Sequence, residues 1–303
     1  MYKEGRKFFL SATDCTDLEI MIILQVILSI STVVIQNCIL NGVCKKDLQT
    51  SDHVYRFNFL VYAVCIILFG IAALKGGVSL FTVGVGILFG IATALSNYYK
   101  MLSLASGPMH ITLLITTSSM IIPTISGAFF GETFSFPRLC VVFVMIFFIY
   151  LSLDKGSDMR INRLWFIYCL FAFIFQGSIG VLQKVHQSSV HKSETSVFLL
   201  VAFICSLIYS RIRTKKSFGE LNFQKKHLGL ALLCGICTFG MNYLNLKLSG
   251  IIPSQLFFPI INGSAIILSS AASVLIFKEK LSKKQMIGLC GGMMSLVAIC
   301  FVK

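Results

Sequence analysis

Ten apolar runs alternate with short polar breaks along this 303-residue chain. They are Ile20–Asn41, Phe57–Leu74, Val78–Ser103, Pro108–Phe130, Pro137–Leu153, Leu164–Gln183, Thr195–Ser210, Leu228–Leu246, Ile251–Phe277 and Gln285–Val302. Most come close to the roughly 20 residues that an α-helix needs to cross the hydrocarbon of a bilayer. The seventh run is short and can extend into Arg211–Arg213. The third and fourth runs are separated only by "LASG", and the eighth and ninth only by "KLSG". The pattern predicts an all-α membrane protein of ten transmembrane helices. A polar tail, residues 1–19, precedes the first run and reads as an exposed segment. It has no apolar core of its own and carries acids, unlike a secretory leader.

Polar letters inside the runs recur. "LFGIATALSNY", Leu88 to Tyr98, returns 145 positions later as "LCGICTFGMNY", Leu233 to Tyr243. Shared Leu and Ile mean little in an apolar chain, whereas shared Gly, Thr, Asn and Tyr at fixed spacing are informative. Ser31, Val34 and Gln36 of the first run match Ser178, Val181 and Gln183 of the sixth, and Glu132 and Ser135 match Glu279 and Ser282. Both sets are offset by 147. The first, third and fourth runs thus pair in order with the sixth, eighth and ninth. The predicted unit is five helices, residues 20–154 and then 155–303. Five crossings return the chain to the membrane from the opposite side, so the two five-helix repeats are expected to be inverted. Many secondary transporters are built this way, with the solute site between the halves near the midplane.

Composition agrees with a bilayer as solvent. Hydrophobic residues make up 56% of the chain and charged ones 13%, against about a quarter charged in soluble domains. Mean hydropathy is +0.86. The formal charge of +14 sits between the apolar runs, where an anionic leaflet rather than nucleic acid is its natural partner. Most of the eleven cysteines lie inside apolar runs and read as small packing residues. Cys234 and Cys237 form a CxxC within a span, with no second pair or nearby His to suggest zinc or redox chemistry. No cofactor or metal is expected.

Ten spans as five plus five, short links after the third and eighth, and a Glu-containing step before the last helix of each half ("GETFS" and "KEKLS") resemble the drug/metabolite transporter superfamily, EamA type. The likeness runs from about Ile20 to Val302. It departs at Lys278, where the first copy has Gly131, and in the prolines, since Pro123 lies closer to its Glu than Pro259 does. The resemblance implies a carrier working by alternating access, with the fifth and tenth helices peripheral and both termini in the cytoplasm. It transfers neither a substrate nor binding residues. Charge points to the other orientation. Loops after the odd-numbered spans hold 16 of the 26 Lys and Arg residues, six of them between Arg211 and Lys226, and cytoplasmic loops are the ones enriched in such residues. Either way, an even number of spans puts both termini on one side.

All twelve acids fall at span ends, in loops or in the tail. A charge at the bilayer centre costs about 2.5–3.5 kcal/mol on insertion scales, and no carboxylate is placed there. This argues against an exporter of organic cations and against a membrane enzyme, since no catalytic set can be assembled. Asn97 and Tyr98 with Asn242 and Tyr243 are the leading substrate-binding candidates, because an unpaired amide at that depth is costly. Interhelical hydrogen bonding is the competing use. Gln36 and Gln183 come next. Lys100, three residues beyond Asn97, suits a carboxylate or phosphate, or else snorkels to the interface. His110 opens the fourth span. Asn262 lies one turn after Pro259, and "ITTSSMIIP", Ile115 to Pro123, puts four hydroxyls before a break. Glu132 and Glu279 read as helix-end carboxylates held by nearby Arg138 or by Lys280 and Lys283, with a gate or coupling site as the alternative. The function expected is secondary transport of a small polar metabolite in a cell membrane. An amino acid leaving the cell is the first cargo class. A sugar, nucleobase or phosphorylated solute entering it is the alternative, and a non-transporting accessory or lipid-handling subunit the alternative of another class. The partners are a small-molecule substrate and the lipid bilayer, with a homodimer open and no nucleic acid.

Overall fold

The computed structural model of the chain describes residues 12–46, 51–74, 76–106, 109–133, 135–152, 163–214, 225–277 and 283–302. Among them the elements in order are α1 (Ala12–Lys46), α2 (Ser51–Ala73), α3 (Leu80–Ser106), α4 (Met109–Ser118), α5 (Ile121–Ser126), a 3₁₀ turn (Gly127–Phe130), α6 (Phe136–Ser152), α7 (Arg163–Gln187), a 3₁₀ turn (Lys192–Glu194), α8 (Thr195–Arg213), α9 (Lys225–Ser249), α10 (Ser254–Phe277) and α11 (Lys283–Phe301). Every apolar run becomes helix, and the seventh takes its longer form. α1 starts at Ala12, so part of the tail read as exposed is helical. Glu279 and Ser282, matched above with Glu132 and Ser135, lie outside the described residues, as does the loop containing Lys215 and Lys216.

The protein is an all-α membrane protein. Among the described residues, six helices are long and apolar enough to cross a bilayer, and the shorter apolar helices are Ile115–Phe130, Phe136–Leu151, Ser254–Ser269 and Met286–Phe301. Large apolar side chains face outward, as Leu24 (64% exposed), Ile71 (65%) and Met294 (72%) do. Lipid tails suit such a surface, because the backbone polar groups beneath it are already paired within helices.

The fourth span is interrupted, giving eleven helices for ten runs. Pro123 has no N–H to return to Ser119, and the ladder tightens just upstream. Met120 N donates to Thr117 O and Ile122 N to Ser119 O, both at 3.0 Å. Pro259 is carried inside α10 without a break.

Helix contacts exchange between the two halves. α3 packs on α7 and α8, and α9 packs on α1 and α2. α2 against α8 and α6 against α11 are pairs that map onto themselves when the halves are swapped. This is the contact pattern that a two-fold axis between five-helix units produces. The repeated glycines both lie at close helix approaches. A Cβ on Gly90 of α3 would lie 2.3 Å from Ala202 O of α8. One on Gly235 of α9 would lie 2.7 Å from Val64 Cβ and 3.2 Å from Val61 O of α2. Ser206 Oγ donates to Gly90 O at 2.8 Å, and Cys65 Sγ to Gly235 O at 3.4 Å. Small residues at helix interfaces in lipid allow this kind of backbone contact.

Gly90→Val and Gly235→Val are therefore expected to destabilise the bundle by about 1–3 kcal/mol through overpacking. Thermal unfolding in nanodiscs checks this, with exposed Gly84→Val, which meets nothing within 4 Å, as the control that leaves the midpoint in place.

Candidate functional site

Six helical segments, α1, α3, the broken α4–α5, α7, α9 and α10, surround a cavity of about 140 Å³. Among the described residues, α2, α6, α8 and α11 contribute none to the lining. The fifth and tenth spans, α6 and α11, pack together outside it, as the family resemblance implies.

Eight carboxamides among the described residues line the cavity. Gln36, Asn97, Gln183, Asn242 and Asn262 are sequence candidates; Asn37, Gln176 and Asn245 are not. Hydroxyls come from Thr93, Thr116, Thr117, Ser119 and Thr238. Among the described lining residues Lys100 is the charged one, and none is Asp or Glu. The apolar remainder includes Val33, Ile179, Phe257, Phe258 and Ile261.

Many of these groups are held by neighbours. Gln36 Nε2 donates to Thr238 Oγ1 at 2.8 Å. Asn97 Nδ2 donates to Tyr62 OH at 2.9 Å, and Asn242 Nδ2 to Thr238 O at 2.8 Å. Asn262 Nδ2 donates to Phe258 O at 2.9 Å, not to the carbonyl of Gln255, which the missing N–H of Pro259 frees. Lys100 Nζ lies 3.5 Å from Asn37 Oδ1. Ser96 Oγ donates to Gln176 Oε1 at 2.8 Å, and Ser29 Oγ to Asn245 Oδ1 at 2.5 Å. These bonds leave the remaining amide positions directed at the cavity's contents.

Two candidates face elsewhere. Tyr98 stacks on Tyr55, with centroids 4.5 Å apart and planes 7° from parallel, and joins the apolar cluster around Phe57 and Phe203. Tyr243 stacks on Phe239, and Lys247 Nζ sits 4.5 Å above its ring. The reason is helical geometry: consecutive residues are turned by about 100°, so a Tyr following a cavity-facing Asn leaves the cavity. The side chain of His110 lies outside the described residues. Of the four hydroxyls before Pro123, three line the cavity, and Thr116 Oγ1 also bonds back to Thr112 O at 2.9 Å.

Near one end of the bundle lies a largely shielded charge pair. Lys184, the residue after Gln183, pairs with Glu132 at the end of the fourth span. Their side chains are 9% and 17% exposed. Lys184 Nζ also donates to Ser249 O at 2.9 Å, and Ser254 N donates to Glu132 Oε2 at 2.7 Å. The cluster thus ties together the ends of α7 and α9, the start of α10 and the end of the fourth span. This corrects the expectation that Arg138 holds Glu132. Arg138 Nε instead donates to Val302 O at 2.7 Å, on the far side of the short loop.

An apolar exterior of ten spans around a carboxamide-lined interior defines an integral multi-pass membrane protein. Residues 163–301, which take in α7 to α11, match the profile of the EamA-like transporter family. Among 28 matching solved chains, one crystal structure described only as that of a protein superposes with a TM-score of 0.70 at 13% identity. It covers 92% of this chain and 96% of its own, a likeness of fold alone. A search among curated proteins returns no match.

Removing one partner of a buried ion pair leaves the other uncompensated, at a cost of about 3–5 kcal/mol. Lys184→Met is therefore expected to lower the unfolding midpoint in nanodiscs, and the double variant Lys184→Met with Glu132→Gln to recover most of that loss. Equal loss in the double variant would assign the effect to packing of the lysine stem instead.

Proposed function

We infer that the protein is a secondary carrier that moves a small polar metabolite by alternating access, one half of the inverted bundle rocking against the other. The observation that carries this reading is the carboxamide-lined cavity between the two units. Polar groups are retained at such depth at a free-energy cost. Eight of them converging on one void give a solute a set of donors and acceptors. At about 140 Å³ the void suits a small metabolite rather than the drug-sized ligands of pockets of roughly 300–1,000 Å³.

Amino acids and related compounds leaving the cell are the first cargo class. The lining also supports a second reading, an anionic or hydroxyl-rich solute. Lys100 supplies a cation near Asn37, and the described lining holds no carboxylate to receive a substrate ammonium. A sugar, nucleobase or phosphorylated solute entering the cell would meet such a lining.

Comparing metabolite levels inside and outside cells with and without the gene identifies the cargo and its direction. Unchanged profiles, together with purified protein that binds a metabolite and never moves it in liposomes, would support the accessory-subunit alternative. With cargo in hand, Asn97→Ala and Asn242→Ala are expected to slow transport by about tenfold or more, the loss of one or two hydrogen bonds to solute, while insertion and melting are retained. Full activity in both variants refutes the assignment of the amides. Lys100→Ala is expected to abolish transport of an anionic solute and spare a neutral one.

A further inference from the structure

The two halves of the cavity hold the same residues in different bonding states. In the repeat register, Gln36 corresponds to Gln183 and Thr238 to Thr93. Across α1 and α9 the pair is made. Gln36 Nε2 donates to Thr238 Oγ1 at 2.8 Å, and Thr238 Oγ1 in turn donates to Cys234 O at 2.7 Å. That hydroxyl both accepts and donates.

Across α7 and α3 the equivalent pair is not made. Thr93 is 6% exposed, and its Oγ1 has no hydrogen-bond partner among the described residues. It does not make the bond to the carbonyl one turn back that Thr116, Thr124 and Thr238 all make. Such back-bonding is the usual resort of a helical hydroxyl. Gln183 is 5% exposed and bonds to no described residue. Both line the cavity. A buried hydroxyl left unpaired loses its hydration without compensation, so its partner is to be sought in what the cavity holds.

We propose that Thr93 and Gln183 form the subsite that reads an uncharged hydroxyl group of the solute. This rests on the carrier reading and deepens it. A hydroxyl both donates and accepts, as do the Thr hydroxyl and the Gln carboxamide, so one solute O–H satisfies both side chains. A methyl in the same place satisfies neither. Gln36 and Thr238, already engaged with each other, leave the discrimination to the other half of the cavity.

The test uses full-length protein in proteoliposomes and two probe pairs that differ by one hydroxyl, L-serine against L-alanine and D-ribose against 2-deoxy-D-ribose. The wild type is expected to admit the hydroxylated member of at least one pair faster by about tenfold or more, because a site built to bond a hydroxyl rejects the analogue lacking it. Thr93→Val, which keeps the side-chain shape, and Gln183→Leu bring that ratio to about one. Thr93→Ser retains it. Melting midpoints identify any variant that fails to fold, and Thr93→Val and Thr93→Ser then decide between themselves. A ratio unchanged in Thr93→Val overturns the inference, with water as the partner of the hydroxyl. Wild-type vesicles that admit none of the four probes, or show no preference in either pair, overturn it as well. The carrier reading is decided separately by the metabolite profiles, so the two can fail independently.

Discussion

A carboxamide at the depth of Asn97 has two ways to escape the cost of leaving water. It can bond to protein, or it can face a void that holds water or solute. The bundle uses both at once. Asn97 gives its amide hydrogen to Tyr62, Asn242 to its own helix at Thr238 and Gln36 to Thr238 across the interface. The bonded edge fixes each side chain, and the other edge is left toward the cavity. That requirement explains why the polar residues cluster on six segments. A helix whose neighbours offered no partner and no void could not carry them, and α6 and α11, which pack mainly on each other, carry none into the lining.

The repeated stretch divides this work among its letters. Gly90 and Gly235 bring α3 against α8 and α9 against α2, closer than a Cβ would allow. Thr93 and Thr238, then Asn97 and Asn242, face the cavity from the same two helices. Tyr98 and Tyr243 turn into apolar packing, one against Tyr55 and the other against Phe239. One segment thus supplies helix contact, site and core in successive turns. Such a stretch resists change in either copy, since each letter serves a different neighbour.

Duplication also decided what could be read from sequence. The spans were legible because hydrophobic length is a strong signal. Gln36, Gln183, Asn97 and Asn242 were legible because each is written twice. The cavity carboxamides that sequence reasoning passed over stand where the copies differ. Gln176 occupies the place of Ser29, Asn245 that of Lys100, and Asn37 that of Lys184. A spacing signal did exist, since Gln176 lies two turns before Gln183 and Asn245 one turn after Asn242, on shared faces. The tyrosines failed for the opposite reason: repetition marked them as constrained without saying by what. The partner of Glu132 was hidden by sequence distance, because Arg138 is near in the chain while Lys184 is near in space.

These differences matter for a scaffold that is otherwise symmetric. Two identical halves in an inverted bundle would make the two facing directions equivalent, and neither would be favoured. Here position 184 is a lysine held by Glu132 and Ser249, while its counterpart, Asn37, meets Ser269 at 3.4 Å and Lys100 at 3.5 Å. A pair of opposite charges largely shielded from water and two long contacts of a neutral amide are not equal in strength, since the amide brings no charge of its own and both of its contacts lie at the long end of hydrogen-bond range. Parting the helix ends that Lys184 joins therefore requires separating charges. A solute can shift such an equilibrium only by the difference in its affinity for the two arrangements. On the carrier reading proposed above, unequal halves of this kind would favour one facing direction, and the unequal bonding of Thr93 and Thr238 is the same asymmetry seen from inside the cavity.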